Sequence, residues 1–129
     1  MNTQHISLTI LLAFTIFISG CSKDDEAPEI DITTPANHSE HQMGDELHIT
    51  AEFTDNEALA SCRVAVGDEN GDHTHDFHFE EEKDIDGTSY TLHTHTDIPE
   101  EIDEVYYLHF EVTDAEGNST SQKSMLHFK

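Results

Sequence analysis

Two pairs of histidines share one spacing, His73-Thr74-His75 and His93-Thr94-His95. On a strand, residues i and i+2 point to the same face about 7 Å apart, so both imidazoles of a pair can turn on one ion. Neutral imidazole suits Zn, Cu and Ni, and carboxylates can complete the shell. Acids stand close by: Asp72 and Asp76 flank the first pair, and Asp97 shares the parity of the second. His78 breaks the parity of His73 and His75 and would face the other side of a regular strand. The chain holds 11 histidines in 129 residues, so a transition-metal site is the chemistry its residue types favour. The bland reading of the same residues is a set of solvated side chains tolerated on exposed strands.

The charge balance points the same way. Five Lys+Arg against 28 Asp+Glu give a net charge of −23 at pH 7. Such a chain attracts cations and is repelled by nucleic acid and by anionic membrane surfaces. With His5 in a leader segment, ten histidines remain, and protonating all of them would take the charge from −23 to −13. Repulsion within the acidic chain is expected to favour imidazolium, raising histidine pKa values and coupling metal affinity to pH. Calcium is the second cation to consider, because Asp68, Asn70 and Asp72 have the one-three-five spacing of an EF-type loop. That loop departs from the pattern at its sixth position, His73, and its twelfth, Phe79. Catalysis has little to stand on. There is no nucleophile elbow, no Gly-rich phosphate loop and no Trp, and a zinc hydrolase would need three ligands, an open position and a pocket. A binding protein, not an enzyme, is expected.

The elements that must carry these residues read as short strands. Leu47, Ile49, Ala51 and Phe53 alternate with His48, Thr50 and Glu52, and Tyr106, Leu108, Phe110 and Val112 alternate with Tyr107, His109 and Glu111. A period of two marks strands with one face buried and one wet. Glu29–Thr33, Ser61–Val66, His75–Glu80, Thr88–Thr96 and Ser121–Lys129 are further candidates, separated by turn clusters at Asp55-Asn56, Gly67–Gly71, Asp84–Gly87 and Asp114–Asn118. No stretch carries a helical stripe. The expected fold is all-β, an immunoglobulin-like antiparallel β-sandwich of about seven strands. Tyr106 falls at the place of the E–F corner tyrosine, and Gly117-Asn118 supplies the F–G turn. In such a sandwich the second and fifth strands are neighbours. One outer surface would then present His48, Glu52, His93 and His95 together. His73 and His75 would lie in the connection between the sheets, His109 and His127 on the opposite sheet, and His38 and His41 in the first loop.

The N-terminus reads as an address. Ile6 to Ile18 is an uncharged apolar run of 13 residues, too short to span a bilayer and suited to a secretory signal. It ends in Ile18-Ser19-Gly20-Cys21, which resembles a lipobox whose Cys is acylated. Ser22-Lys23-Asp24-Asp25-Glu26 then resembles the acidic export signal of surface lipoproteins in Bacteroidota-type bacteria. The organisation is a signal peptide over residues 1–20, a lipidated acidic tether over 21–28 and the sandwich over 29–129. The expected location is the outer membrane, anchored through acylated Cys21 and facing outward. Cys62 is left alone, so the mature chain has no internal disulfide. It sits in the alternation Cys62-Val64-Val66 and reads as a small buried hydrophobe, with a soft metal ligand as the alternative.

Together, the lipobox, the Ala27-Pro28-Glu29-Ile30 first strand, Phe53-Thr54-Asp55-Asn56, the mid-chain His-x-His and the Tyr-rich strand ending in Asp114-x-x-Gly117-Asn118 resemble the lipoprotein family known as domain of unknown function 4625. The resemblance implies a fold and a location, and no chemistry. From the residues, the expected function is capture, buffering or delivery of Zn or Cu. The first ligand candidates are His73 and His75, then His93 and His95, with His48, Glu52 and Asp76 in support. The alternative is a lipid-tethered interaction or adhesion module accessory to an outer-membrane receptor or transporter, with the histidines dispensable. A third reading is haem capture through exposed histidines and Tyr107.

Overall fold

A computed structural model describes residues 25–129. Among them the chain forms eight strands and no helix: β1 (Glu29–Thr34), β2 (Ser39–His41), β3 (Glu46–Thr54), β4 (Leu59–Gly67), β5 (Glu80–Asp84), β6 (Ser89–Asp97), β7 (Val105–Asp114) and β8 (Ser119–Phe128). The alternation in β3 does what its period requires. Leu47, Ile49, Ala51 and Phe53 are buried, while Glu46, His48 and Glu52 face solvent. β7 repeats the pattern with Tyr106, Leu108, Phe110 and Val112 inward. One sheet runs β1-β3-β6 and the other β2-β8-β7-β4-β5. Their inner faces close on one core, so the fold is the expected immunoglobulin-like sandwich. Among the described residues, every core side chain comes from between Ile30 and Phe128. The expected signal peptide over residues 1–20 and the expected lipidation site Cys21 lie outside the described residues.

Tyr106 takes its corner role. It is buried, and its hydroxyl accepts a hydrogen bond from the Asp103 N–H at 3.4 Å, three residues upstream. The β7–β8 turn is held by a buried carboxylate. Asp114 Oδ1 accepts from the Glu116 and Asn118 N–H groups, and Oδ2 from the Asn118 amide. Burial alone would raise the Asp114 pKa, but these hydrogen bonds outweigh it and hold the carboxyl below its usual range. Gly117 supplies the positive φ, at +90°.

Two strands differ from expectation. β2 is three residues that pair in parallel with the end of β8, too short for alternation to reveal. The second difference is larger: His75–Glu80 is not a strand, and the strand begins at Glu80. The Phe77–Phe79 alternation has another cause. Phe77 is 2% exposed and packs edge-on to Tyr106 and Phe128, ring centroids 5.6 and 5.8 Å away. It plugs the end of the sandwich where β7 begins and β8 ends. The actual strand, Glu-Glu-Glu-Lys-Asp, shows no apolar period because it is an edge. It pairs with β4 through its backbone, from Ala65↔Glu80 to Ser61↔Asp84, and its charges discourage a further strand. Because β5 joins β4, β6 has a neighbour on one side only among the described residues.

Phe77 thus anchors the whole 68–79 connection from a loop position. Phe77→Ala is expected to cost about 3–5 kcal/mol of unfolding free energy, read as a lowered midpoint with an unchanged slope in urea denaturation.

Candidate functional site

β3 and β6 pair without a shift over their full lengths, and this register decides which polar side chains meet. His48 lies opposite His95, Thr50 opposite His93, Glu46 opposite Asp97 and Glu52 opposite Thr91. Directly opposed residues on one face bring their Cβ atoms to about 4.5–5.5 Å, and the His48 and His95 rings sit with centroids 6.1 Å apart. The Glu46 carboxylate reaches both. Its Oε1 is 3.0 Å from His48 Nε2 and its Oε2 is 3.8 Å from His95 Nε2. His93 turns its Nδ1 to Thr50 Oγ1 at 3.1 Å. Exposure of the His48 and His95 side chains is 70% and 63%, so these contacts are screened by water and contribute little to stability.

The expected surface is therefore present, with one exchange of acid. His48, His93, His95 and Glu52 all face outward from the β1-β3-β6 sheet. Glu52, however, is four residues along β3 from His48, about 13 Å at strand rise, and stands opposite Thr91 and Asp31. Glu46, two residues before His48, is the acid that converges. The parity rule applied to His48 reaches Glu46 as well. Its place directly after the Gly44-Asp45 turn disguised it as loop.

The first-ranked pair is not assembled as expected. His73 and His75 lie in the 68–79 connection, where the same-face rule of strands does not hold. His73 packs edge-on against His78, centroids 5.0 Å apart, the very residue that strand parity would have placed on the opposite side. Its Nε2 is 3.6 Å from Glu80 Oε2. The other oxygen of Glu80 accepts the Arg63 Nε–H at 2.9 Å, and that bond holds the Glu80 carboxyl below its usual range. His75 and Asp76 are exposed elsewhere in the loop.

The remaining histidines serve packing and tethering. His38 stacks on His127, ring centroids 5.7 Å apart. His109 Nε2 donates to the Asp68 carbonyl at 2.7 Å, and Lys123 donates to the Glu69 carbonyl at 3.1 Å while lying 5.2 Å from the Tyr107 ring centre. These bonds tie the turn after β4 down on β7 and β8. The turn is tight: a Cβ at Gly67 would meet the Asp72 carbonyl oxygen at 2.8 Å, and one at Gly71, where φ is +87°, would meet the His109 ring at 3.7 Å. Asp68, a residue of the EF-like spacing, spends its Oδ1 on the Asn70 and Asp72 N–H groups. An open groove of about 420 Å³ beside this turn is lined by Arg63, Asn70, His109 and Lys123.

Among the described residues no group of three or more His, Cys, Asp or Glu side chains stands in an arrangement that could hold a metal ion as it is. The His48–His95–Glu46 set is an open arrangement of two imidazoles on one carboxylate. The model of a family described as a domain of unknown function, DUF4625, matches residues 19–129, a span that takes in Cys21 and the entire sandwich. The chain belongs to this family. No curated protein matches it.

In this DUF4625 chain the core cysteine and one histidine have environments that set their chemistry. Cys62 is a free, buried thiol opposite Val112, pushed up to about 11 chiefly by burial. It is a protonated core residue at neutral pH. His41 Nε2 lies 2.8 Å from Ser39 Oγ, and its ring leans on Phe128. Burial lowers its pKa, against the rise expected from the acidic chain, because lost hydration of the cation outweighs distant carboxylates.

The sign for stability follows. The unfolded chain takes up the His41 proton near pH 6.5 and the folded chain only at lower pH. Its contribution is complete above about pH 6.5 and lost as pH falls through the folded value. An NMR titration should show His41 with a midpoint below 6.5; a midpoint above that value would refute the assignment.

Proposed function

We propose that this protein is an outer-membrane lipoprotein that binds a transition-metal ion, Zn or Cu, for capture, buffering or delivery, with His48, His95 and Glu46 as its ligands. The observation that carries the reading is the position of the Glu46 carboxylate, 3.0 and 3.8 Å from the two Nε2 atoms. In a tetrahedral shell with Zn–N and Zn–O bonds of about 2.0–2.2 Å, ligand atoms stand about 3.3–3.5 Å apart. The two observed separations bracket that value, and binding would require the two exposed imidazole rings, centroids 6.1 Å apart, to turn toward one another. Three protein ligands leave a fourth position, the open coordination of a site that takes up and releases its metal. A net charge of −23 concentrates cations around the domain. The ligands sit on an open sheet face and not in a groove, which suits binding more than catalysis.

The lipid anchor belongs to the same reading. The apolar leader, Cys21 and the acidic stretch that follows would hold the sandwich at the outer membrane with its histidines in the aqueous phase. Cys21→Ser is expected to abolish labelling of the protein by radioactive palmitate and to release it from the membrane fraction; unchanged labelling would remove the anchor from the proposal.

Residues 22–129 hold the complete described core, so the metal reading can be tested on this soluble unit by calorimetry with Zn²⁺, Cu²⁺ and Ca²⁺. One transition metal should bind saturably at micromolar or tighter affinity. His48→Ala/His95→Ala should weaken it at least about tenfold, the equivalent of about 1.4 kcal/mol, while His73→Ala/His75→Ala should leave it intact. Weak, unselective binding that survives both variants would overturn the site and leave an acidic, lipid-tethered interaction module.

A further inference from the structure

The outer face of the β2-β8-β7-β4-β5 sheet carries the groove of about 420 Å³ beside the turn after β4, across the sandwich from His48 and His95. Its volume falls in the range that holds a small ligand, about 300–1,000 Å³. Two lateral rows of side chains line it. Arg63 of β4, Glu111 of β7 and Ser121 of β8 are opposed in register, and His109 and Lys123 form the next row. Asn70 of the turn completes the lining. Phe110 borders the groove as well, but at 1% exposure it presents backbone and no ring.

Arg63 and Glu111 face each other on adjacent strands, where opposed Cβ atoms stand about 4.5–5.5 Å apart, yet they are not bonded. The Arg63 Nε–H goes to Glu80 at 2.9 Å, on the β5 side. Among the described residues the side chains of Glu111, Asn70 and Ser121 have no hydrogen-bond or ion-pair partner, and Lys123 spends one of its three donors on the Glu69 carbonyl. The frame around these groups is fixed. His109 holds the Asp68 carbonyl at 2.7 Å, and the turn closes on itself through Asp68 N–H to the Asp72 carbonyl at 3.0 Å. Unspent donors and acceptors on a rigid frame are what a preorganised polar site presents.

We propose that this groove binds a neutral saccharide, whose hydroxyls bridge Arg63 to Glu111 and bond further to Asn70, Ser121 and Lys123. The site is separate from the metal-binding reading and does not rest on it. The ligand class follows from the lining. Arg63 and Lys123 only donate and an ionised Glu111 only accepts, so adjacent groups of the ligand must accept from one and donate to the other, as vicinal hydroxyls do. The fixed charges balance, Arg63 and Lys123 against Glu80 and Glu111. An anion would meet Glu111 and a cation would meet Arg63 and Lys123, each set against its own sign. No apolar side chain is exposed to the groove to take a hydrophobic ligand. A small zwitterion matches the charges but leaves Asn70 and Ser121 unused. The His109 ring is the one aromatic surface, so affinity rests on hydrogen bonds traded against water and is modest.

The test is an NMR amide-shift titration of residues 22–129, which hold every described core side chain, with a chelator present so that the metal site plays no part. The probes are the methyl glycosides of glucose, galactose, mannose and N-acetylglucosamine, beside glucuronate, glucosamine and alanine as an anion, a cation and a zwitterion. At least one neutral glycoside should bind saturably at about 1 mM or tighter, moving the amides of Arg63, Asn70, His109 and Lys123 and not those of β3 or β6. Glu111→Ala and Asn70→Ala, each with a dispersed spectrum, should weaken that binding at least about tenfold. No saturable shift from any neutral glycoside would overturn the inference, as would shifts centred on another surface or binding unchanged in both variants. Tighter binding of glucuronate, glucosamine or alanine than of every neutral glycoside would give the groove to a charged ligand and overturn the neutral one. Each of these outcomes leaves the metal reading where it stood.

Discussion

Leu47, Ile49, Ala51 and Phe53 are each 0–1% exposed, and a one-residue slip of β3 would exchange all four for Glu46, His48, Thr50 and Glu52 at the core. Each large apolar side chain lost from the core forfeits about 1.5–3 kcal/mol, and each carboxylate taken in would add a desolvation cost. The register of β3 is thereby fixed, and with it the register of β6. The meeting of His48 with His95, and of both with Glu46, is a by-product of burying the opposite face. The candidate site is positioned by the core without being part of it.

Acidic residues divide into two kinds on this scaffold. Asp55, Asp68 and Asp114 turn a carboxylate oxygen onto backbone N–H groups one turn ahead, and each closes a connection between strands. Their charge is committed to local geometry. Glu46, Glu52 and the acids of β5 stand on strands and face water. Self-repulsion is therefore concentrated on the outer faces, where solvent and salt screen it, and the interior is left to apolar burial. That arrangement lets a chain of such charge close a small sandwich without a disulfide.

Much of this was legible from residue order. The alternation in β3 and β7 marked their inner faces, and Tyr106 marked the corner. The pairing of the second and fifth strands as neighbours followed from the sandwich, and it put His48, His93 and His95 on one surface. The failures share a cause. β5 and the 68–79 connection were read by hydrophobic period, yet Phe77 is buried from a loop and β5 is held by backbone pairing with almost nothing to bury. Period reports which side chains face a core and is silent about a strand that has none. A strand placed there gives His73 and His75 a common face and sets apart His78, which does meet His73.

The sequence by itself determined the all-β class, the inner and outer faces of the long strands and the acidic surface. These follow from local composition and from the two-residue period of extended backbone. Only the tertiary structure decided that Glu46 is the acid at the histidine pair, that His73 lies with His78, that β5 joins β4, and that β6 pairs with β3 in that register. Those depend on register and on which sheet a strand enters, and both are set by side chains distant in the chain competing for one core.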